Sequence, residues 1–266
     1  MKPKPQMHVS ALNMLWRCPE QYRRRYVEME RIPPAVAVLV GKSVHVSAEN
    51  NLKNKCRNEG ALLSLDVVQD LARDTLNKEW SGGGVSLDPE EKSKGVKVVK
   101  GEAVDKAVSL SKLHGEELAP VINPVSEDHV EKKFVIEVPG QEYNLAGTLD
   151  VEEKDAIRDL KTAKKTPNDS VAHSSDQLSM YALSMFAETG LLPKKLALDY
   201  LVNLKTPKIK TLETTRTKAD LQIFLRRIEV SIRLIKSGIF IPCNSDNWCC
   251  DVRYCGYATT CPYFKK

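Results

Sequence analysis

The sequence predicts a mixed α/β domain, a sheet flanked by helices. Three observations predict it. Apolar residues recur at helical spacing as far as about Leu118. From Val130 the period changes to two, over three successive segments. A helix, two further strand segments and a long amphipathic helix then follow. No internal repeat is visible.

Ser10 reads as the cap of a first helix, with Leu12, Leu15 and Trp16 on its apolar side. Pro19 opens a second helical segment, because a first-turn proline loses no needed donor. That segment carries Tyr22, Arg23, Arg24, Arg25 and Tyr26. Arginines among tyrosines suit a phosphate backbone, but many solvated helices look the same, and that is the plainer reading. Gly41 begins a helix that runs to about Asn58, with Val44, Ala48, Leu52 and Cys56 as a buried seam. Cys56 is therefore a core residue, and His45 lies at the edge of that seam. A third helix spans about Ala61 to Trp80, with Leu65, Val68, Leu71, Leu76 and Trp80 inward. Ser81 to Gly84 breaks it, and the Lys/Glu-rich stretch that follows makes 81–100 a mobile loop. Helix resumes from about Gly101 to Leu118, ended by Pro120 and Pro124.

The strand segments are VEKKFVIEV, YNLAGTLDVEE and AIRDLKTA. A helix from about Ser175 to Glu188 is closed by Gly190 and Pro193. The segments LALDYLVNL and KIKTLETT flank Lys205-Thr-Pro-Lys208. The last helix starts near Lys218, with Leu221, Phe224, Leu225, Ile228, Ile232 and Ile235 as its buried stripe, and stops at Gly238.

Composition narrows the class. With 266 residues, the chain is one large domain or two small ones, and 42% apolar against 28% charged residues is ordinary for a globular protein. The longest apolar run, Ala35 to Val40, is too short to span a membrane. MKPKPQMHVS has no apolar core, so no secretory signal is expected and a cytoplasmic location is. Forty Lys and Arg against 35 acids give +5, which permits nucleic acid as a partner without demanding it. Of seven cysteines, five (243, 249, 250, 255, 261) fall in the tail. In a reducing compartment that clustering reads as a metal site before a disulfide framework.

The hairpin carries the chemistry. If Lys154-Asp155 form a two-residue turn, Asp150 and Asp159 lie directly opposite, and Lys161 projects from the same face as Asp159. Facing carboxylates repel, so a cation belongs between them. Carboxylates and water are what Mg²⁺ or Mn²⁺ select. The bland alternative is a surface hairpin with scattered charge.

G-x-x-D (Gly147 to Asp150) followed nine residues later by D-x-K (Asp159 to Lys161) resembles the core of the PD-(D/E)XK nuclease superfamily. More narrowly it resembles the RecB-like exonuclease branch, which includes AddAB nuclease domains, CRISPR-associated RecB-like exonucleases and phage exonucleases. Gly41-Lys-Ser-Val-His45 matches that branch's upstream G-x-x-x-H, and Gln177-Leu-Ser-Met-Tyr181 its Q-x-x-x-Y. The resemblance implies a restriction-endonuclease-like core sheet flanked by helices. It implies that His45, Asp150, Asp159 and the Leu160 carbonyl bind the metal, and that Lys161 is the catalytic lysine. Gln177 and Tyr181 would hold that lysine, a water or the DNA backbone. Glu131 on the preceding strand either approaches the site or is simply solvated. The middle acid is Asp159, a shorter arm than the Glu the superfamily also uses.

A subset of the branch holds a 4Fe–4S cluster with one cysteine before the nuclease core and three after it. By that resemblance Cys18, Cys250, Cys255 and Cys261 are the ligands, joining residues 1–30 to 239–266 as a staple within a single nuclease domain. Zinc is the alternative metal, Cys243 or Cys249 the alternative to Cys250, and spare buried thiols the reading for those two. The expected function is a metal-dependent DNA exonuclease in recombination, repair or end processing, with Lys165, Lys205, Lys208 and Lys210 as phosphate contacts. Its partners would be DNA and a recombination protein; oligomeric state is unreadable, with a homo-oligomer as one option. The alternatives are an endonuclease of the same superfamily, a non-catalytic DNA-binding scaffold, and a zinc-binding adaptor.

Overall fold

A computed structural model describes residues 4–138 and 140–265. These fall into two compact units.

Pro34–Phe134 and Thr148–Thr215 form the larger unit. Its helices are α3 (Val36–Arg57), α4 (Leu65–Gly83), the short α5 (Pro89–Lys94) and α6 (Val96–Leu113). Their apolar stripes meet in one core that holds Val44, Leu52, Leu76, Ala103 and Leu110 and reaches Val151, Leu160 and Leu201 on the strands. The strands are β2 (Val130–Glu137), β3 (Asn144–Glu152), β4 (Ala156–Ala163), β5 (Lys195–Val202) and β6 (Lys208–Thr214). β3 pairs with β4 antiparallel, Val151 opposite Arg158 and Glu152 opposite Ile157. The Glu153 amide donates to the Ala156 carbonyl at 2.8 Å, so Lys154-Asp155 is the turn the sequence predicts. β4 pairs with β5 in parallel, and β5 with β6 antiparallel. The parallel crossover is α7 (Asp176–Thr189), started by the Ser175 side chain capping Leu178 and ended by Gly190 in the left-handed region.

The other unit holds β1 (Gln6–His8), α1 (Val9–Arg17), α2 (Pro19–Tyr22), the first residues of β3 and α8 (Lys218–Ser237) with the tail behind it. β1 pairs in parallel with Asn144–Ala146 of β3. α8 opens on a capping box between Thr217 and Asp220 and closes on Gly238. It buries Leu221, Phe224, Ile228 and Ile232, as its periodicity predicts.

Several expected boundaries are corrected. Ser10 lies inside α1, with His8 at the cap position. α3 starts at Val36, not Gly41: Pro33-Pro34 stand just before it, and burial of Val36, Leu39 and Val40 extends the helix backwards. Cys56 is half-buried, off the seam. α4 starts at Leu65 rather than Ala61, and runs through Ser81–Gly83 to Gly84. The stretch 81–100 is largely helical. The missed signal is Asp88-Pro89-x-Glu91, a capping box with proline in the first turn, which starts α5. α6 then begins at Val96, before Gly101.

Candidate functional site

The hairpin register sets the site. β3 and β4 pair as far as Val151–Arg158, and Asp150 and Asp159 are the next residues on each strand. Asp150 Oδ2 accepts the Leu160 backbone N–H at 2.7 Å, which fastens that carboxylate across the hairpin.

α3 delivers His45. Gly41 lies one turn earlier on the same face. A Cβ at Gly41 would sit 3.4 Å from Thr162 Oγ1, so the helix lies close against β4. His45 Nε2 then donates to the Leu160 carbonyl at 2.8 Å. With that proton assigned, Nδ1 faces two carboxylates, Asp150 Oδ2 at 3.5 Å and Glu131 Oε1 at 3.8 Å, and is the nitrogen that a cation could take. These are ion-pair distances, too long for hydrogen bonds. His45, Glu131 and Asp150 offer three ligand atoms within 4.8 Å of one another, a candidate cation site. Glu131 stands on β2 with φ +55°, in the left-handed region that disfavours a non-glycine residue. Such strain is worth about 1–3 kcal/mol and persists where the surroundings enforce it.

The electrostatics match a site built for a cation. Burial favours neutral His45, but the Glu131 carboxylate, then Asp150 and Asp159, outweigh it and push the imidazole up to about 9. Burial, then repulsion from Asp159, pushes Asp150 up to about 7, against the attraction of His45 and Lys161.

Beside the trio is a closed ring. Lys161 Nζ lies 2.6 Å from Asp159 Oδ2 and donates to Gln177 Oε1 at 2.8 Å. Gln177 Nε2 donates to Tyr181 Oη at 2.6 Å, and the Tyr181 hydroxyl donates to Asp159 Oδ1 at 3.0 Å. Gln177 and Tyr181 meet β4 together because they sit four residues apart on α7. Asp159 is fully buried. The ammonium touches its Oδ2 out of line for a hydrogen bond, and that oxygen has no other partner among the described residues. Burial disfavours the Lys161 cation, but Asp159 more than compensates and its pKa rises. Burial, then Asp159, raises Tyr181 well above its ordinary value, so its hydroxyl stays protonated.

The structure thus brings together His45, Asp150, Asp159, Leu160, Lys161, Gln177 and Tyr181, the residues singled out by sequence. Asp159 faces the ring rather than the tightest ligand group, and Glu131 completes that group. Sequence offered no local signal for Glu131 beyond its place on the preceding strand, since its aim depends on a positive φ.

In the other unit Cys18, Cys243, Cys250, Cys255 and Cys261 line one cavity. Cys243 Sγ lies 3.6 Å from Cys249 Sγ, and Cys18 Sγ accepts the Cys243 N–H at 3.5 Å. All seven cysteines are free thiols. Burial, then Cys18 and Cys249, raises the Cys243 thiol. Among the described residues, no three of these sulfurs form a candidate metal-ligand group. Cys249 is fully buried, as a spare thiol would be. Of the expected phosphate contacts, Lys210 is paired with Asp169 at 2.9 Å. No helix among the described residues is long and apolar enough to cross a membrane.

No curated protein matches the chain. Among solved structures, a protein of Eubacterium rectale described as a "Putative exonuclease" is similar to it, with a TM-score of 0.60 at 14% identity, covering 99% of this chain and 90% of that one. At that identity the likeness speaks for the fold. A family model for the PD-(D/E)XK nucleases matches residues 6–262. That span is nearly the whole length, and the chain belongs to the PD-(D/E)XK nuclease superfamily.

Proposed function

We propose that the protein is a divalent-metal-dependent DNA exonuclease of the RecB-like branch. The observation that supports this most is the meeting of His45, Glu131 and Asp150 within 4.8 Å, next to a buried Asp159–Lys161 pair. His45 Nδ1, Glu131 and Asp150 would hold Mg²⁺ or Mn²⁺. Asp159 Oδ2 and the Leu160 carbonyl are the further oxygens that the family resemblance would assign to it. Hard cations prefer such oxygen-rich sets. When bound, the ion supplies an activated water and neutralises charge on the scissile phosphate.

The chain's own residues do the rest. The Leu160 carbonyl fixes the His45 tautomer, as outer partners of metal-binding histidines do. Lys161 stays a cation, since Asp159 holds its proton in place. Its role is therefore electrostatic, steadying negative charge at phosphoryl oxygens, rather than that of a base. Gln177 and Tyr181 hold Lys161 and Asp159 in one geometry before substrate arrives. Lys165, Lys205 and Lys208 lie where β4 ends and β5 turns into β6, an edge suited to a DNA backbone.

The cysteine cavity would hold a 4Fe–4S cluster on Cys18, Cys250, Cys255 and Cys261. A zinc ion closed by four thiolates needs sulfurs about 3.8 Å apart, from Zn–S bonds near 2.3 Å. The family resemblance favours the iron–sulfur cluster, and zinc is the alternative that metal analysis would reveal. A role in recombination or end processing follows from the family resemblance.

The test uses end-labelled linear DNA and covalently closed circles, with Mn²⁺ and with chelator. Release of label from linear DNA alone, lost with Asp150→Asn, supports the exonuclease. Cleavage of circles points instead to an endonuclease, and no Mn²⁺-dependent cleavage of either overturns the reading. Iron content, and its loss in Cys18→Ala, decides the cluster.

A further inference from the structure

A small cavity, with room for about one water, lies against the candidate cation site. His45, Glu131 and Asp150 line one side of it, and His114 another; much of the remaining wall is aliphatic. His114 is the first residue of a π-helical turn, His114–Leu118, that follows α6. Turns of this kind recur at functional positions. The side chain is 2% exposed, and its Nδ1 has no hydrogen-bond partner among the described residues. A buried polar nitrogen left in that condition costs about 1–3 kcal/mol, which a leucine of similar size would avoid. Burial, then the nearby His45, lowers His114 to about 4, so its ring is neutral at physiological pH. A neutral imidazole keeps one nitrogen free to accept a hydrogen bond, and His114 stands outside the tightest ligand group.

We propose that His114 is a positioning residue of the His45–Glu131–Asp150 centre, its Nδ1 accepting a hydrogen bond from a water in this cavity that belongs to the hydration shell of the bound cation. The inference rests on the metal-dependent reading above. Arg158 also lines the cavity, but its guanidinium donates to Glu153 and Asp199, so the donor left for Nδ1 is a water. Cation-bound water is a strong donor, so the acceptor holds that water in one orientation. His114 thereby steadies the ion without ligating it, as outer-shell partners do.

The wild-type protein tests this without DNA. Mg²⁺ is added while the ring nitrogens of the five histidines are followed by NMR. The expected result is that His45 and His114 shift together with one apparent Kd, while His129 and His173 stay. Calorimetric Mn²⁺ affinity should fall about tenfold or more in His114→Leu. His114→Gln, which keeps an acceptor, should recover part of it. The melting temperature of metal-free His114→Leu should not fall. A shift confined to His45, or Mn²⁺ affinity in His114→Leu within about twofold of wild type, overturns the proposal while sparing the metal centre. A protein in which neither histidine responds and no Mn²⁺ binds overturns both. Should His114→Leu fail to fold, the NMR titration of the wild type decides alone.

Discussion

The ring of Asp159, Lys161, Gln177 and Tyr181 and the trio of His45, Glu131 and Asp150 share one hairpin, yet they treat buried charge in opposite ways. In the ring, acid faces base, and two neutral side chains close the circuit by hydrogen bonds. Folding alone completes it. In the trio, two carboxylates face one imidazole, and both titrating groups leave their ordinary range: Asp150 rises to about 7 and His45 to about 9. There the polypeptide supplies the acceptors but not enough positive charge. One half of the site is balanced by the fold itself, and the other is left short of positive charge.

Breaking the ring's cation should give the largest effect. Lys161→Ala is expected to lower Mn²⁺-dependent DNA hydrolysis by about 10²–10³-fold, the usual loss for one electrostatic stabiliser of the transition state. Mn²⁺ affinity in the same variant should hold, because Lys161 is not in the trio; a parallel loss of affinity would merge the two halves. Calorimetry against single-turnover rates separates these outcomes.

The trio should respond to pH where the ring does not. His45 is raised, so its contribution to stability is full below about 6.5 and is lost as pH climbs through 9. Asp150 is raised too, so its ionisation costs the fold between about 4 and 7. Both make the metal-free protein less stable as pH rises, and a cation must displace both protons. Mn²⁺ should therefore bind at least about tenfold more tightly at pH 8 than at pH 6, with a larger rise in melting temperature. Equal affinity at the two values would show that the trio is not the binding site.

Tyr181→Phe should cost about 1–3 kcal/mol in denaturant unfolding, since it strands Asp159 Oδ1 and Gln177 Nε2. A neutral result would mean that the ring is decoration. The smallest expected effect has the opposite sign. Glu131→Gly should raise metal-free stability by about 1 kcal/mol, because glycine relieves the positive φ, while it weakens Mn²⁺ binding. A variant that loses stability would show that Glu131 earns its conformation through contacts rather than through the ion.

The ring was nearly all legible in sequence. Asp159 and Lys161 follow from a strand period of two, and Gln177 and Tyr181 from the resemblance to Q-x-x-x-Y, whose four-residue spacing puts them on one helix face. In the trio, Asp150 follows from the hairpin and His45 from the resemblance to G-x-x-x-H, while for Glu131 the sequence leaves both the site and solvent open. Glu131 reaches the site through one unusual backbone angle, and no pattern of residue types encodes an angle that glycine would adopt more easily. The helical layer shows the same limit. The starts read at Ser175 and Lys218, where a side chain does cap the helix, coincide with the structure within a residue, whereas the capping box at Asp88 was passed over. Those without a capping side-chain bond, such as Ala35 before α3, were placed late because burial of Val36 and Val40 sets them. The run Ser81–Gly83 stays helical although glycine disfavours it.

Gly41 acts at a distance of one helical turn. Because nothing projects from it toward Thr162, the helix backbone can rest against β4, and the imidazole one turn on can touch the Leu160 carbonyl. A methyl there would only reach ordinary contact with Thr162 Oγ1, so alanine fits, whereas a longer side chain would press α3 away from β4 and strain the Nε2 bond one turn on. The tautomer of His45 thus draws on how little projects from the preceding turn.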